Sequence, residues 1–158
     1  CRSELAGSGD DSGARGFRRM IVLDTNVLSE TLRSAPDPRV IEWFRAQRRA
    51  ALFTTTITRA EILYGLGLLA DGPRKQALSA AVQAIFEEDF AGRLLTFDSD
   101  AADLYATIAV SRRSAGKQIS QFDAMIAAVA RSTGATLATR NVKDFVDCGI
   151  AVIDPWAQ

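Results

Sequence analysis

Short apolar runs alternate with stretches of helical period along most of the chain. Met20–Leu23 (MIVL) is brief, partly β-branched and closes on Asp24, the pattern of a buried strand. Thr25–Arg33 follows as a short helix, punctuated by Pro36–Pro38. Asp37 is placed to cap the next helix, with Pro38 in its first turn and Val40, Ile41, Trp43 and Phe44 as its apolar stripe. Ala51–Thr55 reads as a second strand. A helix from Thr58 carries Ile62, Leu63, Leu66 and Leu69 at helical spacing. Asp71-Gly72-Pro73 breaks it, and Arg74–Phe90 forms another helix. Leu94–Phe97 reads as a third strand, followed by a helix over Asp98–Ala115 that ends near Gly116. Ser120–Thr133 is a small-residue-rich helix stopped by Gly134. Ala135–Thr139, a short helix over Asn141–Val146, and a last strand at Ala151–Ile153 complete the order. Strands alternating with helices predict an α/β fold, a parallel sheet covered on both faces.

A length of 158 residues points to one domain, large enough to bury a core without disulfides or a structural metal. Residues 1–19 are rich in Gly, Ser, Asp and Arg and nearly lack large apolar side chains. They are expected to be a poorly ordered extension or tag remnant, with the domain over 20–158. They also lack the apolar centre of a signal peptide, and no apolar run in the chain reaches the length of a membrane span. The two cysteines, Cys1 and Cys148, are not placed for a structural disulfide, and a reducing cytoplasm is the expected location.

Charge and histidine content change the picture more. Lys plus Arg and Asp plus Glu stand at 19 each, so nothing draws the whole molecule to nucleic acid. The chain has no histidine. Ser-His-Asp and Cys-His nucleophile systems and histidine-ligated zinc are thereby excluded. Carboxylates, hydroxyls, Arg and Lys remain.

The carboxylates fall at informative places. Ligand sites in open α/β sheets form beyond the carboxyl ends of the strands. Asp24 ends the first strand, Glu61 lies in the first turn of the helix after the second, and Asp123 lies in the first turn of the helix before the fourth. Asn141 and Asp144 follow Thr139-Arg140 just past the fourth strand. Each has an ordinary structural alternative. Thr58-x-x-Glu61 and Ser120-x-x-Asp123 read as capping boxes, Asp24 as a helix cap, and Asp144 as a surface acid. Gathered on one rim, however, such acids repel. Two carboxylates 4 Å apart cost about 4 kcal/mol at an effective dielectric near 20. An arginine, a shared proton or a divalent cation must compensate. All-oxygen ligation suits Mg²⁺ or Mn²⁺, and such ions serve phosphodiester hydrolysis.

Four segments carry a resemblance. Met20-Ile-Val-Leu-Asp24-Thr-Asn26-Val-Leu-Ser29-Glu30 resembles the opening of PIN-domain toxins. Thr58-x-x-Glu61-Ile-Leu-x-Gly65, Phe122-Asp123-Ala-Met-Ile-Ala-Ala128 and Thr139-Arg140-Asn141-x-x-Asp144-Phe145 resemble their later motifs, in the same order. The closing Pro155-Trp156 is similar to the FitB branch of the VapC-type toxins. The likeness spans essentially Met20 to Gln158. It implies a three-layer α/β/α sandwich and an Mg²⁺- or Mn²⁺-dependent endoribonuclease. It also implies a toxin neutralised by a cognate antitoxin, and a homodimer. By position, Asp24, Glu61 and Asp123 match the family's acidic triad. The chain departs at the fourth acid. FitB-like relatives place aspartate directly after the Thr-Arg pair, where Asn141 stands here. Many VapC-type relatives carry this Asn with an acid three residues later, which makes Asp144 the fourth candidate, acting from the outer shell through water. Thr25, Asn26 and Thr139 are candidates to orient metal-bound water, or simply to satisfy backbone groups at turns.

Arg112, Arg113, Lys117, Arg131, Arg140 and Lys143 are candidate phosphate contacts, with single-stranded or loop RNA as the expected substrate. An antitoxin helix is expected to use an apolar groove near the Trp43–Phe44 and Leu66–Leu69 stripes. Three other readings compete: a phosphatase with Asp24 as nucleophile, a PIN-like binding module without catalysis, and a small DNA nuclease. The first wants a second acid two residues on, where Asn26 stands.

Overall fold

The computed structural model describes residues 19–158. The expected extension therefore lies, except for Arg19, outside the described residues. Five strands form one fully parallel sheet: β1 (Ile21–Leu23), β2 (Leu52–Thr55), β3 (Leu94–Leu95), β4 (Thr136–Ala138) and β5 (Val152–Ile153), in the order β3-β2-β1-β4-β5. Six α-helices join them: α1 (Thr25–Glu30), α2 (Pro38–Ala46), α3 (Thr56–Gly67), α4 (Pro73–Ala84), α5 (Ser99–Ser114) and α6 (Gln121–Thr133).

Side-chain alternation along the central strand divides the core in two. Ile21 and Leu23 of β1 face one cluster, with Leu28, Val40, Trp43, Ile62 and Val82. Val22 faces the other, with Ile108, Ile126, Val129, Leu137 and Phe145. Helices α1 to α4 thus cover one face, and α5 with α6 the other. The expected three-layer α/β/α sandwich is what forms.

The short strands follow from sheet geometry. β1 and β4 are buried on both faces, and β1 reads accordingly as an apolar run without polar alternation. Caps fix several boundaries. Asp37 accepts a hydrogen bond from the Arg39 N–H, with Pro38 opening α2. Asp98 caps α5, and Gly134 ends α6 at φ 67°, where a side chain would strain the backbone. The helix expected to run to Phe90 instead loosens into a π turn at Ile85–Asp89.

Strand order reverses beside β1. Its neighbour on one side is β2 and on the other β4. The crevice beyond the carboxyl ends of β1 and β4 is the switch point where parallel sheets place ligands.

Candidate active site

Asp24 stands in that crevice. Its N–H donates to the Ala138 carbonyl of β4 at 2.9 Å, so the neighbouring strand fixes its backbone. It also caps α1, and both readings of the residue hold at once. Oδ1 accepts from the Thr25 N–H at 2.8 Å, while Oδ2 accepts from the Thr139 hydroxyl at 2.7 Å. Only 4% of Asp24 is exposed. Burial pushes its carboxyl up to about 6, against the pull of the Thr139 and Thr25 bonds, and the charges of Asp123 and Glu61 add to the rise.

Thr139 is the hub of this corner. Its hydroxyl donates to Asp24 and accepts from Asn26 Nδ2 at 3.3 Å and from the Asn141 N–H at 3.1 Å. Asn26 in turn accepts from the Arg140 N–H at 3.2 Å through Oδ1. Thr139→Val keeps the shape but strips Asp24 Oδ2 of its short bond and strands the Asn141 N–H. The expected cost is about 1–3 kcal/mol in urea unfolding at neutral pH. Thr139→Ser is expected to retain most of it. Equal stability for the Val variant would mean that the hydroxyl holds nothing.

Glu61 is placed differently from its expected role. The N-cap of α3 is Thr55, whose hydroxyl accepts from the Thr58 N–H at 3.0 Å. Thr58 is inside the helix, and Glu61 lies in the second turn rather than the first. The Thr58-x-x-Glu61 capping box therefore does not form. Glu61 Oε1 instead accepts from the Thr25 hydroxyl at 3.0 Å, and that hydroxyl lies 3.1 Å from Thr58 Oγ1. Thr58 is a member of the network that its apparent capping role concealed. Burial raises the Glu61 carboxyl, the Thr25 bond opposes the rise, and Asp123 adds to it.

Asp123 keeps its ordinary role as well. Ser120 caps α6 and its hydroxyl accepts from the Asp123 N–H at 3.1 Å. The half-buried carboxylate is raised by burial, held down by hydrogen bonding with Ser120, and raised again by Asp144. Asp144 is half-buried in the 3-10 turn Val142–Phe145. Asn141 precedes that turn and is exposed.

The four acids thus share one electrostatic neighbourhood, linked from Glu61 and Asp24 through Asp123 to Asp144. Among the described residues, none of them forms an ion pair. Nor do any three acidic or cysteine side chains among the described residues converge into a ready metal cage. This is an open cluster of uncompensated carboxylates, and its oxygen donors fit a hard divalent cation. Mg²⁺ commonly takes one or two carboxylates and keeps several waters, so a closed cage is not required.

The basic candidates separate. Arg113, Arg140 and Lys143 are exposed. The Arg140 guanidinium lies 5.2 Å from the centroid of the Trp156 ring, which ties the closing Pro155-Trp156 to the rim of the site. Lys117 pairs with Asp147 at 3.6 Å, and Arg131 is half-buried beside Gly149. Arg112 is a correction. It is 5% exposed and donates to backbone carbonyls, so it is not available to a phosphate.

Comparison with known proteins places the fold in a family. The PIN domain family matches residues 21–148. Toxin FitB of Neisseria gonorrhoeae is 39% identical over 137 residues, covering 87% of this chain and 99% of the relative. VapC ribonuclease Y4jK of Sinorhizobium fredii is 38% identical over 137 residues, covering 87% of this chain and 98% of the relative. Among solved structures, FitAB bound to an IR36 DNA fragment superposes with a TM-score of 0.82 at 39% identity, covering 87% of this chain and 96% of that one. Fold and sequence agree: the chain belongs to the PIN-domain family and resembles its FitB and VapC toxins across nearly the whole domain.

Proposed function

We propose that this chain is an Mg²⁺- or Mn²⁺-dependent endoribonuclease, the toxin of a toxin–antitoxin pair. The observation that carries the reading is the cluster of four carboxylates at the sheet's switch point, without a cationic partner among the described residues. Asp24 and Asp123 would hold the ion most directly, with Glu61 completing its surroundings directly or through water and Asp144 acting from outside. When bound, such an ion polarises a phosphate and supplies hydroxide from its water near neutral pH. The protein's own part is orientation. Thr139 and the Thr25 N–H fix both oxygens of Asp24, and the Thr25 hydroxyl fixes Glu61. Arg140, Arg113 and Lys143 offer exposed cations for RNA phosphates. An open rim of this kind admits a single strand or loop, not the deep groove of a duplex. A phosphatase with Asp24 as nucleophile is disfavoured because Asn26, not an acid, stands two residues on.

The deciding experiment is cleavage of end-labelled RNA and single-stranded DNA with and without Mn²⁺, with Asp123→Asn as control. RNA cut only with metal, and not by the variant, is the expected result. No cleavage together with no Mn²⁺ binding in calorimetry would leave a binding module. Trapping of a phospho-aspartate would restore the phosphatase, and cleavage of DNA alone would make the protein a DNA nuclease.

The partner surface follows from the groove beside the site. A cavity of about 690 Å³ opens between α1, α3 and α4, lined by Ile62, Leu66, Leu69 and Leu78 and reaching Thr25 and Glu61. An amphipathic antitoxin helix fits such a groove, and an arginine at its end would offset the acids. The α2 stripe does not contribute, since Trp43 is part of the core. A second copy is the proposed cover for the opposite side of α3, where Leu63, Tyr64 and Leu68 are 45%, 71% and 69% exposed. Leu68→Glu is expected to convert a dimer to a monomer in light scattering. An unchanged mass would place the dimer contact elsewhere.

A further inference from the structure

We propose that Arg112 is a positioning residue of the candidate active site, a buried clamp that holds the Asp144 turn against the α5–α6 pair so that Asp144 stands beside Asp123. The inference rests on the ribonuclease reading for its catalytic consequence, but not for the clamp itself.

The geometry is specific. Arg112 lies in the last turn of α5. Its Nη1 donates to the Val146 carbonyl at 2.7 Å and its Nη2 to the Asp144 carbonyl at 3.2 Å. Both acceptors belong to the end of the 3-10 turn, where carbonyls lack partners within the turn itself. The planar fork of a guanidinium reaches two such oxygens at once, which a lysine ammonium does not. Helix α5 packs along α6, which carries Asp123 in its first turn. Arg112 therefore spans the two units that bring Asp123 and Asp144 together. The 3-10 turn that carries Asp144 itself packs against α6.

The cost of this arrangement makes the role pointed. Arg112 is 5% exposed, and among the described residues it forms no ion pair with a carboxylate. Its Nε–H is buried without an acceptor among the described residues. A buried charge so incompletely partnered does little for stability, and an apolar side chain of similar length often serves as well. What an apolar side chain does not supply is the double hold on the Asp144 and Val146 carbonyls. The neighbouring Lys117–Asp147 pair is a weak alternative tether, since its side chains are 58% and 66% exposed.

The test uses the full chain in two measurements. In hydrogen exchange, Arg112→Met is expected to speed exchange of the Asp144 and Cys148 amides about tenfold or more, while the amides of Leu137 and Ala128 stay unchanged. In RNA cleavage with Mn²⁺, Arg112→Met is expected to cost about 5–10-fold alone, no more than the loss of Asp144 itself. In an Asp144→Asn background the same change is expected to cost less than about threefold, because the positioned group is already gone. Arg112→Lys recovers only part of the loss, and Asp147→Asn, which breaks the exposed Lys117–Asp147 pair, has little effect on either readout. If Arg112→Met does not fold, Arg112→Lys carries both measurements in its place. Unchanged exchange in the turn overturns the clamp. Costs that simply multiply in the double variant overturn the positioning role and leave a structural one. If the wild-type protein cuts no RNA, the ribonuclease reading falls, and the exchange result alone decides for or against the clamp.

Discussion

Asp24→Asn is expected to abolish RNA cleavage while making the metal-free fold more stable at neutral pH. The two effects share one cause. Asp24 is 4% exposed and its carboxyl is raised to about 6, chiefly by burial. Between the ordinary value of 3.8 and about 6, the folded protein holds this proton more tightly than the unfolded chain does. Stability therefore falls as pH rises through that window, and the loss persists above it. The gap corresponds to on the order of 3 kcal/mol. Asparagine carries no charge to desolvate and keeps an acceptor for the Thr25 N–H. Its amide meets a Thr139 hydroxyl that already accepts two bonds, so only part of the gain returns. Urea unfolding in EDTA is expected to show the variant about 1–3 kcal/mol more stable near pH 7, with little difference near pH 4. Cleavage with Mn²⁺ is expected to drop by at least about 100-fold, beyond the usual cost of losing an outer-shell partner. A variant less stable than wild type near pH 7 would show that the Asp24 charge is compensated by something other than metal.

The same tension explains what was legible in the sequence. Strand endings were readable because a fully buried β1 needs an apolar run, and the first polar residue after it, Asp24, marks where the run reaches the rim. Topology then carried Asp123 and Asp144 to the same rim, although each is ordinary in its own segment. Ser120 caps its helix as its spacing predicts, and Asp123 serves that cap and the cluster together. Residue pattern alone does not separate the two roles, because both favour an acid in a first helical turn.

Where the reading failed, tertiary contacts decided. Thr54-Thr55-Thr56 and Thr58 offer several possible caps in succession, and the one chosen depends on where β2 pairing stops. Thr55 remains in the strand at 0% exposure and caps α3 directly, which frees Thr58 and Glu61 to meet Thr25. Arg112 is the second case. Among six basic residues near helix ends, it differs only in what surrounds it, and no local pattern signals a guanidinium turned inward onto a loop. Its neighbour Arg113 is exposed, as expected for such a position. The groove is the third case. Leu66 and Leu69 share a helical stripe with Ile62, yet only the docking of α4 shows which of them remain open to a partner.

Asp123→Asn and Asp144→Asn are expected to differ by at least about tenfold in cleavage, with Asp123 much the more damaging. The charge of Asp123 raises both Asp24 and Glu61, so it reaches the other two acids of the triad. Asp144 acts on Asp123 alone among the three. Removing Asp123 therefore takes away a donor of the triad, at an expected cost above about 100-fold, whereas removing Asp144 leaves the other three acids in place at about tenfold or less. The pH profile supplies an independent sign. Asp144 raises the Asp123 carboxyl, so its loss lets Asp123 ionise at lower pH. The acid limb of kcat/KM is then expected to move downward in Asp144→Asn, when the profile is followed from about pH 5 to about pH 9 at fixed Mn²⁺. Because the acids are coupled, this limb belongs to the cluster rather than to one residue, and its displacement is the quantity to compare. An upward shift would contradict the proximity of the two aspartates. A larger loss for Asp144→Asn than for Asp123→Asn would move the metal from the crevice between β1 and β4 toward the 3-10 turn.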